Sequence, residues 1–231
     1  MESVHGQVND LAGFTGDVSG QVLLILGDFQ INPHGTKPVG VGFQSGRDTT
    51  PIGFISGMLN NSQPTEFDTN TAFLNSSGYP IIGGYSTIFV IGGPLINAAS
   101  HYYQTANTTT ADAAPVALTS VGTNYVWTDK NRTVVLSYLQ LFDQLPPGTS
   151  DVFAIEAFHD AAGRLVVLMF GTNYMGSWAA AYYFKYVTYP NIGLYTNGYY
   201  LIRWTDAPSG TSANGVPDLG DTFTILATAT S

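Results

Sequence analysis

The residues that could carry chemistry fall in two glycine turns and one carboxylate-rich loop. Gly92-Gly93-Pro94 stands where the apolar run Thr87-Ile88-Phe89-Val90-Ile91 meets a helical pattern. Free N–H groups at such a turn can cradle an anion. The spaced glycines of a dinucleotide fingerprint are missing, and Pro94 removes one donor, so the segment reads as a structural turn. Gly171 and Gly176 read as a second turn of the same kind, after the run Leu165 to Phe170. Gly40, Gly42 and Gly46 have near-nucleotide spacing without a following helical pattern, and Gly35-Thr36-Lys37 lacks the rest of a phosphate loop.

The loop from Asp206 to Asp221 holds Asp206, Asn214, Asp218 and Asp221 around Gly215 and Gly220. Oxygen ligands of this type suit Ca²⁺, although the spacing is not that of an EF-hand. Calcium is the one cofactor to consider; the expectation otherwise is none. Hydrolytic machinery is hard to assemble. His5, His34, His101 and His159 are dispersed, and none lies in a metal-ligand pattern. Ser177 follows Gly176, but Ala179 stands where a nucleophile elbow needs its second glycine, so Ser177 reads as a helix cap. With only three Glu, a carboxylate pair would draw on Asp28, Asp160, Asp206 or Asp218. The doublets Tyr102-Tyr103, Tyr182-Tyr183 and Tyr199-Tyr200 could stack on sugars or fill a core.

The elements that must hold these residues follow from apolar runs and breakers. Val22 to Leu26, Thr87 to Ile91, Asp151 to Phe158, Leu165 to Phe170 and Tyr199 to Trp204 read as strands, several buried on both faces. Ile52-Gly53-Phe54-Ile55 reads as a short strand within a loop-like stretch, and 116–127 and 133–142 as further strands. Helices are predicted from Leu95 to Gln104, with Pro94 at the first helical position, and from Trp178 to about Tyr186. Thr222 to Ala229 closes the chain as a half-buried strand. The fold class is α/β or α+β: a mixed, strand-rich sheet with a few helices from strand–turn–helix units. Residues 1–231 read as a single domain, with possible subdivision near 105–115 or 145–150. The Gly93→Val substitution is expected to destabilise the turn.

Composition sets the partners. Charged residues make up 10% of the chain, against roughly 25% in an average domain. A net charge of −9 with seven Lys and Arg argues against nucleic acid and against anionic membranes. No apolar run is long enough to span a bilayer. Cysteine is absent, which removes disulfides and thiolate chemistry. Asn60, Asn75, Asn107 and Asn131 each open an Asn-x-Ser/Thr sequon and are candidate glycan acceptors. Met1-Glu2-Ser3 leads into a polar stretch without leader character, which reads as a mature or excised piece. The scarcity of charge also predicts little change in stability between neutrality and mild acid.

Two segments resemble archaeal S-layer proteins. In one, Asp68 precedes an apolar strand and Ile91-Gly92-Gly93-Pro94-Leu95-Ile96-Asn97. In the other, Gly163-Arg164, an apolar strand, Gly171-Thr172, Gly176 and Ala179-Ala180-Ala181 follow in order. Ser177-Trp178 departs from the Thr that the family usually places before the Ala run. The resemblance implies a non-enzymatic, extracellular cell-surface role, self-assembling or docked to other envelope proteins, with possible glycans. The alternatives are an extracellular carbohydrate-binding or adhesion module, and a hydrolase using the loop Asp residues.

Overall fold

The computed structural model describes residues 22–27, 49–59, 64–121, 124–139, 149–208, 210 and 213–230. The fold is a mixed α/β arrangement, mostly strands. A seven-stranded sheet has the order β10-β9-β7-β8-β3-β1-β2, formed by β1 (Val22–Leu26), β2 (Thr65–Phe67), β3 (Thr87–Ile91), β7 (Ser150–His159), β8 (Leu165–Gly171), β9 (Gly198–Thr205) and β10 (Thr222–Thr230). A three-stranded antiparallel sheet consists of β4 (Val116–Val121), β5 (Asn124–Asp129) and β6 (Val134–Leu139). The segment 116–127, expected as one strand, is divided between β4 and β5.

The large sheet changes character at β8. On one side β8, β3, β1 and β2 run parallel; on the other, β7, β9 and β10 add antiparallel. β1, β3 and β8 are buried along their full length, as their uninterrupted apolar runs require. One face of the sheet, with Leu24, Phe89, Val167 and Met169, is covered by α1 (Thr49–Met58) and α3 (Tyr174–Tyr183). The other face, with Leu23, Val90, Leu168 and Phe170, is covered by α2 (Ala98–Thr105) and the small sheet. The Trp127 ring of the small sheet lies 5.3 Å from that of Phe170.

Three expectations are corrected. Ile52 to Ile55 belong to α1, not to a strand. Pro51 sits in the first turn, where its missing N–H costs little. Pro51, Ile55 and Leu59 are buried at intervals of four, which is a helical stripe. α2 begins at Ala98, with Asn97 as its cap, so Pro94 lies in the preceding turn and Leu95 is 55% exposed. α3 begins at Tyr174, capped by Asn173, so Ser177 is inside the helix and is not its cap.

The strain of the first turn is at Gly92, whose φ of 109° is left-handed territory. A Cβ on Gly93 would make only ordinary contact, 3.7 Å from the Phe170 ring. Gly92→Ala is therefore expected to cost about 1–3 kcal/mol in chemical denaturation, while Gly93→Ala stays near wild type. Equal effects at both positions would move the strain off Gly92.

Candidate functional site

In open α/β sheets, ligands bind outside the carboxyl ends of the parallel strands, where neighbouring connections leave for opposite faces. That place exists here between β3 and β8. The chain leaves β3 for α2 on one face and β8 for α3 on the other. Gly92 and Gly93 follow β3 at this point, and Gly171, Thr172 and Asn173 stand at the end of β8. Both helices start at this edge, and their N–H groups would be the donors of an anion site.

Both helix starts are occupied by the chain's own side chains. At α2, Asn97 Oδ1 accepts from the Ala99 and Ser100 N–H groups at 3.0 and 3.1 Å, and its amide donates to the Ile91 carbonyl at 3.0 Å. The Ala98 N–H donates to Asp68 Oδ2 at 2.6 Å. At α3, Asp151 reaches across from β7. Its Oδ2 accepts from Asn173 N–H at 3.0 Å and Gly176 N–H at 2.6 Å. Its Oδ1 accepts from Val152 N–H at 2.7 Å and from the Thr172 hydroxyl. Asp151 is fully buried, and that burial pushes its carboxyl up to about 7 against the lowering effect of the four donors.

Gly171 and Gly176, expected as turn residues, make this plug possible. A Cβ on Gly176 would collide with the Asp151 carboxylate and sit 2.6 Å from the Gly171 Cα. Gly171 does end β8, but Gly176 lies within α3. The Ser177 hydroxyl accepts from the Gly171 N–H at 3.1 Å, tying helix to strand.

A second buried carboxylate joins the layers. Glu156, in the middle of β7, accepts from Gln104 Nε2 at 2.8 Å and from the Val116 N–H at 3.0 Å. Gln104 also donates to the Val116 carbonyl and accepts from the Leu118 N–H, each at 2.8 Å. The outer side of β4 is thus bonded to side chains from α2 and β7. Burial raises the Glu156 carboxyl to about 8.

The remaining candidates are dispersed. Asp160 accepts from Ala162 and Arg164 N–H groups and pairs with the Arg164 guanidinium at 2.6 Å, and Arg164 donates to the Pro80 carbonyl. His159 is exposed at the end of β7. Asp28, Asn60, His5 and His34 lie outside the described residues. In the 206–221 loop, Asp206 accepts from Gly215 N–H and Asp218 from Gly220 N–H. The Asn214 amide donates to Asp218, and Asp221 accepts from Trp204 Nε1 and from the Ala207 and Asp218 N–H groups. These acids brace their own loop, and among the described residues no group of three or more His, Asp or Glu gathers as a metal site. Of the tyrosine doublets, Tyr103, Tyr182, Tyr183 and Tyr199 are buried, and only Tyr102 and Tyr200 are half-buried. They fill cores and do not form an open platform.

The three described sequons lie in exposed turns. Asn75 Oδ1 accepts from the Ser77 hydroxyl at 2.7 Å, and Asn107 Oδ1 from the Thr109 hydroxyl at 3.1 Å. Asn131 is exposed in the β5–β6 turn beside Arg132, whose φ is 62°.

Asp151, Glu156, Asp68 and Gln104 were not singled out from the sequence as structural polar groups. The signal available was Glu156 itself, a lone acid between Ile155 and Ala157 in an apolar strand. Compared with known proteins, the chain matches no family model, no curated protein and no solved structure.

Proposed function

We propose that the chain is a non-catalytic building block of an extracellular surface, as the S-layer resemblance implies, packing with copies of itself or with other envelope proteins. The observation that carries this reading is that both helix starts at the β3–β8 edge are filled by the chain's own side chains. The donors that would hold a ligand at α2 and α3 are spent on Asp68, Asn97, Asp151 and the Asn173 side chain, which accepts from the Met175 N–H. A phosphate or carboxylate would have to expel a buried acid to bind there, and that exchange is unfavourable. Further support comes from polar groups joining layer to layer, as a rigid unit requires, and from sequons on exposed turns.

The test is assembly together with catalytic silence. Electron microscopy of the purified protein is expected to show sheets, filaments or rings. Screening against glycosides, esters, peptides and nucleotides is expected to show no turnover. Saturable hydrolysis, abolished by Asp206→Asn, would replace this reading with the hydrolase.

A further inference from the structure

We propose that the outer edge of β10 is an assembly interface, pairing antiparallel with β10 of a second copy of this chain; this rests on the building-block reading above. β10 is the last strand of the large sheet, and eight of its nine residues pair with β9. Among the described residues, no backbone hydrogen bond leaves its other side. A free row of strand donors and acceptors is a template for another strand.

The other edges are blunted. β2, at the far end of the large sheet, has three residues and carries Glu66. β4 is stapled by Gln104 and Glu156. β6 has six residues and packs toward the large sheet, with Arg203 over the Tyr138 ring at 5.6 Å. Among the described residues no strand pairs with the outer side of β10, which contacts β6 and carries one register shift between Ile225 and Ala227 that leaves regular runs on either side.

Charge selects the partner. Across a two-fold axis, a charge near the axis meets its own copy, and like charges placed opposite each other destabilise a strand pair. The chain carries −9, yet Thr222-Phe223-Thr224-Ile225-Leu226-Ala227-Thr228-Ala229-Thr230 has no charged residue. Such an edge can pair with itself, and it offers nothing for a charged peptide to recognise. Ile225, 51% exposed, adds apolar surface beside the free backbone.

The experiment compares wild type with Thr224→Lys and Thr228→Lys, both at exposed positions, by sedimentation velocity and thermal melting. Wild type is expected to associate. Each Lys variant should associate at least about tenfold more weakly, because a Lys on an edge strand opposes pairing and a two-fold contact meets the substitution twice, with the melting temperature unchanged at concentrations too low for association. Association that survives both substitutions overturns the edge interface and leaves the building-block reading standing. A wild type that remains monomeric overturns both. If the Lys variants do not fold, single cysteines decide, because the chain has none of its own. Nitroxide labels on Thr224→Cys or Thr228→Cys should each report a second label within about 30 Å, the length of a nine-residue strand, whereas labels on exposed Ala161→Cys should not. Label proximity no greater at the edge than at Ala161 overturns the proposal.

Discussion

Stability is expected to fall as pH rises from about 4 to about 8, the range between the ordinary carboxylate value and those of the two buried acids. Glu156 and Asp151 are pushed up to about 8 and about 7 by burial, so the folded chain keeps protons that the unfolded chain releases across this interval. Their contribution is complete below the ordinary carboxylate range and is lost as pH passes through the raised values. The loss across the pair is on the order of several kcal/mol. This reverses the flat profile expected from a scarcity of charge, because the position of two acids outweighs their number. Urea denaturation at a series of pH values measures it. Glu156→Gln should flatten the slope while costing about 1 kcal/mol for one imperfect hydrogen bond. Stability that climbs steadily from pH 4 to 8 would mean that both acids are ionised within the fold.

Gly176→Ala should destabilise by about 3 kcal/mol or more, through overpacking and loss of the Asp151 cap. The sign is the informative part. Inside an ordinary helix this substitution stabilises by roughly 1 kcal/mol. At Gly176 the new methyl would fall on the Asp151 carboxylate and 2.6 Å from the Gly171 Cα, where strand, helix and plug have nowhere to move. Gly53→Ala in α1 is the matched control: among the described residues nothing lies within 4 Å of its Cβ position, so the ordinary stabilisation should appear. Thermal melts of the two variants should move in opposite directions. A rise at Gly176 would show that α3 does not approach β8 so closely.

The strands were legible because their physics is local. Val22 to Leu26, Thr87 to Ile91 and Leu165 to Phe170 are apolar throughout, and only a strand covered on both faces fits so short a run. Helix starts were less legible. Pro51, Gly53 and Gly57 look like loop residues until the burial of Ile55 and Leu59 shows that one side of the segment faces the sheet. Gly176 looks like a breaker, and its reason for being in α3 is a contact with Asp151, which precedes it by 25 residues. The plug at the sheet edge was hidden for the same reason. Asp68 meets Ala98 and Glu156 meets Val116 only after the sheet has formed, and no spacing along the chain announces either pair.

The change of strand direction at β8 also divides the molecule in time. β7 to β8 is a short reversal, and β7, β8, β9 and β10 all come from the stretch 150–230, so this half closes loops of modest length. The parallel half must bring Thr87 to Leu165 and Val22 to Thr87. Such distant pairings are slow, because chain entropy is lost before any contact repays it. The C-terminal hairpins are therefore expected to form first and to template the docking of the earlier strands. During synthesis, Val22-Leu23-Leu24-Ile25-Leu26 is made before its partners β2 and β3, and is expected to stay exposed until β3 docks on β8.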